Sequence, residues 1–123
     1  HSFPTRRSSD LDLSSKQYNF VKLNSSGEAV AIAAITDVPV GVLQNAPTAG
    51  QEAEVLVSGG TKLVAGEAIT LPAFLSVTSA GKADKIATTD TTQYVVGQAI
   101  TAAGADAEVI TAVVNCANPT RAN

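Results

Sequence analysis

Turn-forming residues divide this chain at short, regular intervals, and that spacing limits the fold more than any other feature. Clusters of Gly, Pro, Asn, Asp or Ser recur about every 8 to 12 residues between short runs rich in Val, Ile and Thr, which is typical of all-β domains. The sequence therefore predicts an all-β fold: a small β-barrel or β-sandwich of short strands with Gly/Pro turns. The predicted strands are 17–23, 28–35, 38–43, 52–57, 61–64, 74–77, 85–87, 93–100 and 108–114.

Two local patterns refine this prediction. Gly59 and Gly60 stand between two apolar runs and predict a hairpin turn, because glycine accepts positive φ without steric cost. The alanine-rich segment 29–35 has helical propensity, but Val30, Ile32 and Ala34 alternate with alanines. Strand is the favoured interpretation of this segment, and helix is the alternative.

An internal near-repeat relates two parts of the chain. Segment 41–55 resembles segment 97–109: each follows a valine, turns at Ala-Gly, and resumes with Glu-Val at Glu54-Val55 or Glu108-Val109. Two copies predict paired hairpins on opposite sides of one barrel or sandwich, since a solenoid needs about three or more.

The composition bounds both the core and the function. The 123 residues are 45% hydrophobic but 4% aromatic, so Val, Ile, Leu and Ala must build a single small core. Only 15% of residues are charged and the net charge is −3, which argues against a nucleic-acid surface. Cys116 and His1 are the sole residues of their types, which excludes an internal disulfide and a Cys/His zinc site. The sole His lies within residues 1–11, which we expect to be outside the natural domain, so a Ser/His/Asp triad is excluded as well. No apolar run approaches the roughly 20 residues that span a bilayer.

The first eleven residues, 1–11, read as the first-frame translation of a common short-read sequencing adapter. We therefore expect them to be an adapter-derived artefact or a disordered arm, outside the natural domain. The expected organisation is a single β domain over 12–115 and a polar C-terminal tail over 116–123.

Two pairs of carboxylates are candidates for chemistry. Glu52 with Glu54, and Asp106 with Glu108, are each two residues apart, which in a strand places both members on one face at about 7 Å. Such pairs resemble glycosidase carboxylates or part of a calcium shell. The favoured interpretation is a solvated strand face opposite buried alanines and valines, because no cluster of binding residues accompanies them.

The first predicted strand carries the candidate partner-contact residues. Tyr18 and Phe20 are expected on one face, with Lys16 and Lys22 in the same alternation. A basic and aromatic stripe can stack on single-stranded nucleic acid, but an anchoring strand whose rings cover core or a partner is the favoured interpretation. Cys116 is expected to be a small packing residue or an incidental thiol.

From residue 17 to 114 the chain resembles the capsid decoration, or head cement, proteins of tailed bacteriophages. The segments that carry the resemblance are 17–22 (QYNFVK), 39–47 (PVGVLQNAP), Ala49-Gly50, Glu54-Val55, Ser58-Gly59 and Thr61-Lys62, and more loosely 65–66, 78–81 and 96–99. The resemblance implies a compact β domain, often a homotrimer, that binds the major capsid protein on the outside of an assembled head. It implies no catalytic residue, cofactor or metal.

The expected function is therefore that of a structural virion protein, not an enzyme, which stabilises the capsid lattice by binding only its assembled form. It is expected on the outer surface of the phage head after synthesis in the bacterial host cytoplasm, with no direct contact to nucleic acid or membrane. The alternative is a carbohydrate-binding or adhesin-like β module of a tail fibre or cell surface.

Overall fold

The computed structural model describes residues 4–8, 12–87, 93–117 and 120–121. Within these residues the chain forms twelve β-strands and no α-helix, so the all-β prediction is confirmed. The strands are β1 (Pro4–Ser8), β2 (Phe20–Leu23), β3 (Ala29–Ala31), β4 (Gly41–Leu43), β5 (Glu52–Leu56), β6 (Ser58–Val64), β7 (Phe74–Val77), β8 (Ala83–Lys85), β9 (Tyr94–Val95), β10 (Gly97–Ala99), β11 (Val109–Asn115) and β12 (Thr120–Arg121).

The strands form two five-stranded antiparallel sheets and one short ribbon. The first sheet has the order β1-β5-β4-β2-β3, and the second has the order β6-β11-β10-β7-β8. The ribbon pairs β9 with β12. Each of the nine predicted strands overlaps an observed one, although the predicted strand 85–87 shares only Lys85 with β8, and the segment 93–100 is split at Val96 into β9 and β10.

The two sheets are copies of one arrangement. Replacing β1 to β5 by β6, β7, β8, β10 and β11 converts the first strand order into the second. The pairing registers agree as well: Phe20 lies opposite Val42, as Phe74 lies opposite Gln98. The chain is therefore a structural duplication with a period of about 55 residues.

The hairpins β2–β3 and β7–β8 show the duplication most clearly, because their turns have the same hydrogen bonds. Asn24 Oδ1 accepts from the amides of Ser26 and Glu28, at 3.0 and 2.9 Å. Thr78 Oγ1 accepts from the amides of residues 80 and 82 in the same way, at 3.2 and 3.1 Å. Each turn ends on a glycine in the left-handed region, Gly27 or Gly81, with φ of 80° and 85°.

The predicted paired hairpins are present as β4–β5 and β10–β11, one in each sheet. Their alignment differs from the one that the sequence suggested. The pairs Leu43–Val55 and Ala99–Ala112 are equivalent in register, so Glu54-Val55 and Glu108-Val109 do not occupy matching positions. Glu108 precedes β11, whereas Glu54 lies inside β5, because the two connecting loops differ in length.

Two apolar clusters hold the fold together. The main core joins side chains of both sheets, among them Phe20, Val42 and Leu56 of the first and Leu63 and Leu75 of the second. The smaller cluster comprises Val21, Ala29, Leu43, Ala53 and Val55 of the first sheet together with Leu13, which lies in the segment before β2. The first sheet thus contributes apolar residues from both of its faces.

Two local predictions are wrong. Gly59 and Gly60 form no hairpin turn: β6 runs through both, and residue 57 is the switch point where the chain passes from the first sheet to the second. Segment 29–35 is a strand only over β3, because Asp37 Oδ2 accepts from the amides of Ala33 and Ala34 and ends the strand in a turn.

Candidate interaction surface

The predicted contact residues do not form one stripe. Phe20 is 1% exposed and belongs to the main core, so it is not available on the surface. The prediction that Tyr18 shares its strand face is wrong, because β2 begins at Phe20 and Tyr18 has a left-handed φ of 65°. Tyr18 instead links the sheets through its backbone: its amide donates to Leu43 O at 2.7 Å, and its carbonyl accepts from Val64 N at 3.0 Å.

The two lysines of the predicted stripe also differ from each other. Lys22 Nζ donates to Asp37 Oδ2 at 2.9 Å in a partly buried ion pair. The backbone amide of Ala33, and then Lys22, lower the pKa of Asp37. Lys22 therefore serves the turn after β3, whereas Lys16 is half-exposed in the loop before β2.

The two carboxylate pairs occupy different kinds of site. Glu52 and Glu54 are exposed at alternate positions of β5, as expected of a strand face. Asp106 and Glu108 precede β11 in a turn, so their predicted strand placement is wrong. Asp106 accepts from Lys82 Nζ at 3.2 Å, and Glu108 Oε1 accepts from the Gly104 amide at 2.9 Å. These contacts stabilise the turn.

Two further ionisable groups, Glu67 and Cys116, have shifted pKa values. Burial and the nearby Asp84 carboxylate raise the pKa of Glu67, and burial raises the pKa of the Cys116 thiol to about 12. Among the described residues, no group of three or more His, Cys, Asp or Glu side chains is placed to hold a metal ion. Within the same residues, no helix is long and apolar enough to cross a membrane.

The most distinctive surface is an apolar row on the outer face of the second sheet. Phe74, Gln98 and Val113 lie opposite one another across β7, β10 and β11. Phe74 is 59% exposed and Val113 is 48% exposed. Large apolar side chains in adjacent exposed positions are typical of interaction sites, whereas scattered ones are ordinary.

The duplication allows this exposed row to be compared with its equivalent in the first sheet. Its register equivalent in the first sheet is the row of Phe20, Val42 and Leu56, which is buried in the main core. The second sheet covers this face of the first sheet. The equivalent face of the second sheet is exposed to solvent. The exposed row of Phe74 is therefore a copy of a packing surface.

The residues beside the row strengthen this conclusion. Glu52 and Glu54 of β5 correspond in register to Val109 and Thr111 of β11. Val109 is 56% exposed, yet it stands where the first sheet has a carboxylate facing water. We define the docking face as Phe74, Gln98, Val109, Thr111 and Val113, which carry no charge.

A groove of about 280 Å³ crosses this face between Phe74 and Val113. Gly97 lines it, and a Cβ atom at that position would lie 2.7 Å from Val113 O, so only glycine lets β10 approach β11 so closely. Val95 and Asn115 also line the groove.

Sequence reasoning missed the docking face, although one signal for it exists. Segment 108–114 carries apolar residues on both faces, since Val109 and Val113 alternate with Ile110 and Val114. Strands covered on both faces have such continuous apolar runs, whereas strands with one wet face alternate with polar residues.

The comparison with solved structures finds a similar fold in a phage protein. No protein-family model matches the chain, and no curated protein matches its sequence. The chain is similar to the crystal structure of the N-terminal base of head fibre gp8.5 of bacteriophage phi29, with a TM-score of 0.70 and 17% sequence identity. The match covers 94% of this chain and 96% of that chain. At this identity the two proteins share a fold, which extends over nearly all of each chain.

Proposed function

We propose that this protein is a structural component of a phage virion, which binds the outer surface of an assembled head through its docking face and stabilises the capsid lattice. The observation that carries the proposal is the exposed row of Phe74, Gln98 and Val113, whose equivalent in the first sheet is core. The head-fibre name of the structural relative and the resemblance to decoration proteins supply the virion context. The partner is the major capsid protein, and the assembly is a homotrimer.

The chemistry of the docking face fits a repeated lattice contact. An uncharged face pays little desolvation on burial, and about 25 cal/mol is gained per Å² of apolar surface removed from water. A contact that is weak in one copy becomes strong when a trimer engages several capsid subunits together. Because the bound form is the assembled lattice, binding stabilises that lattice by mass action.

The test is co-sedimentation with expanded, undecorated heads assembled from the major capsid protein of the same genome. Binding should saturate, and Phe74→Ser should weaken it about 30-fold, since truncating a central anchor costs about 2 kcal/mol. Glu54→Gln, on the first sheet, is the matched control and should bind within about twofold of the original. A chain that ignores the heads, or a Phe74→Ser variant that binds normally, would contradict the proposal.

We also infer that residues 1–11 derive from a sequencing adapter and are foreign to the natural protein. The match of these residues to the translated adapter supports this inference. Resequencing the source genome across codon 12 tests the inference. An uninterrupted genomic reading frame through codons 1–11 would refute it.

A further inference from the structure

The duplication also shows which faces of the two sheets meet in the core. Phe20 and Val21 are neighbours in β2, so their side chains lie on opposite faces of the first sheet. Phe20 belongs to the main core, and Val21 belongs to the smaller cluster. Their register equivalents in β7 are Phe74 and Leu75, and here it is Leu75 that belongs to the main core. The two sheets therefore use opposite faces to form the main core.

The sheets are thus stacked head to tail. We call the face that carries Phe20 or Phe74 the phenylalanine face of its sheet, and the other face the reverse face. The phenylalanine face of the first sheet packs against the reverse face of the second sheet. The strand residues that this reverse face contributes to the main core are all aliphatic, among them Leu63, Ile110 and Val114. An aliphatic sheet face is therefore what covers a phenylalanine face in this fold.

The two ends of this stack differ. At one end, the reverse face of the first sheet is closed, since Val21, Leu43 and Val55 are at most 1% exposed. The segment before β2 contributes Leu13 to the same cluster, and the Leu13 amide donates to Pro47 O at 2.9 Å. At the other end, the phenylalanine face of the second sheet is the exposed docking face. A second copy of the chain cannot continue the stack there, because the reverse face that it would offer is already covered.

The docking face has the shape of a phenylalanine face as well as its apolar character. Gly41 and Gly97 are equivalent in register. A Cβ atom at either glycine would collide with the carbonyl oxygen of an equivalent residue, Leu56 in the first sheet or Val113 in the second. The same close approach of two strands therefore shapes both faces. In the first sheet, that shape packs against the aliphatic face of another sheet.

We propose that the docking face takes an exposed aliphatic face of a β-sheet of the major capsid protein, which stacks on the second sheet as the second sheet stacks on the first. This inference rests on the proposed function and adds the structural class of the partner surface. Face-to-face sheets bury interdigitating side chains about 10 Å apart, so no backbone pairing between the proteins is needed. Val109 and Thr111 are uncharged where the first sheet exposes Glu52 and Glu54, so the capsid sheet overlaps the docking face beyond the row of Phe74.

The test is photo-cross-linking of the full chain to expanded, undecorated heads. The variant Phe74→p-benzoylphenylalanine is irradiated on the heads, and mass spectrometry identifies the cross-linked capsid residues, which are then located in the structure of the undecorated head. These residues should be aliphatic and should lie on one face of a sheet, at alternate positions of a strand or opposite each other on adjacent strands. Cross-links to a helix or a loop, or to a second copy of this chain, would overturn the proposal.

Two further variants complete the test. Val109→p-benzoylphenylalanine places the probe at the margin of the docking face, where a larger ring interferes less with binding, and it should mark a neighbouring strand of the same capsid sheet. Glu54→p-benzoylphenylalanine, on the first sheet, is the matched control and should give no capsid cross-link above background.

Co-sedimentation of the unmodified chain separates this inference from the proposed function. A chain that binds the heads but cross-links to a capsid helix or loop, or gives no capsid cross-link from position 74 or 109, refutes the stacked sheet. A chain that does not sediment with the heads refutes the proposed function and the stacked sheet together.

Discussion

Phe20 and Phe74 provide a matched experiment, because the duplication puts the same residue type at the same register position in two environments. Phe20 is 1% exposed inside the main core, whereas Phe74 is 59% exposed on the docking face. Replacing each with alanine removes the same atoms. The two variants should therefore differ only through what covers each ring.

The expected magnitudes follow from burial. A buried Phe→Ala replacement costs about 3–5 kcal/mol, which is a large part of the 5–15 kcal/mol that typically holds a domain together. Full burial of a Phe side chain contributes about 1.5–3 kcal/mol, so the covered fraction of Phe74 contributes about 1 kcal/mol. At a urea m-value of about 1.5 kcal/mol/M, the midpoint should fall by about 2–3 M in Phe20→Ala and by about 0.7 M in Phe74→Ala.

Equilibrium urea unfolding at one fixed protein concentration measures both values. Phe20→Leu, which keeps most of the apolar volume, extends the comparison if Phe20→Ala is too unstable to prepare. Equal losses in the two alanine variants would refute the claim that the docking face is an uncovered copy of a core surface.

Three other residues give further predictions. Asp37→Asn should lower the urea midpoint at pH 7. Two backbone amides and Lys22 donate hydrogen bonds to this carboxylate, and disrupting those hydrogen bonds costs about 1–2 kcal/mol. Since the folded pKa of Asp37 lies below its ordinary 3.8, its contribution is complete above that pH and is lost as the pH falls through the lowered value; the difference between variant and parent should therefore shrink steadily as the pH is lowered below 3.8. Gly41→Ala should destabilise the chain by at least about 2 kcal/mol in thermal or urea unfolding, because its Cβ would lie 2.4 Å from Leu56 O; a neutral effect would show that β4 can move away from β5. Cys116 should react with iodoacetamide at pH 8 only in urea, because burial raises its pKa to about 12; rapid labelling of the folded chain would contradict that burial.

The strands were predictable from sequence because each rests on local alternation. In β11 the alternate residues Ile110, Ala112 and Val114 are buried, so the strand was predicted correctly but its buried face was not: the expectation that Val109 lies buried opposite Glu108 is wrong. The two hairpins of the near-repeat were also predicted, because both loops contain the dipeptide Ala-Gly and can be recognised in the sequence. The matching β2–β3 and β7–β8 turns were not, because their shared hydrogen bonds come from Asn24 in one copy and Thr78 in the other. Side chains of different type satisfy the same turn.

The candidate site was not predictable in the same way. No local pattern separates Phe20 from Phe74, because which ring is covered depends on how the two sheets pack together. The expected Tyr18 and Phe20 stripe failed for a related reason: alternation places both on one face only if the strand is continuous, and the left-handed residue at Tyr18 breaks it. The exposure of Phe74 therefore depends on how the two sheets pack, and the position of Tyr18 depends on one backbone angle.

Hydroxyl-radical footprinting of the chain, free and bound to expanded heads, tests the docking face most directly. Oxidation of Phe74 should fall at least fivefold on binding, while Tyr18, outside the docking face, should be oxidised at the same rate in both states. Equal oxidation of Phe74 in free and head-bound protein would show that the capsid contacts another surface, and would contradict the account.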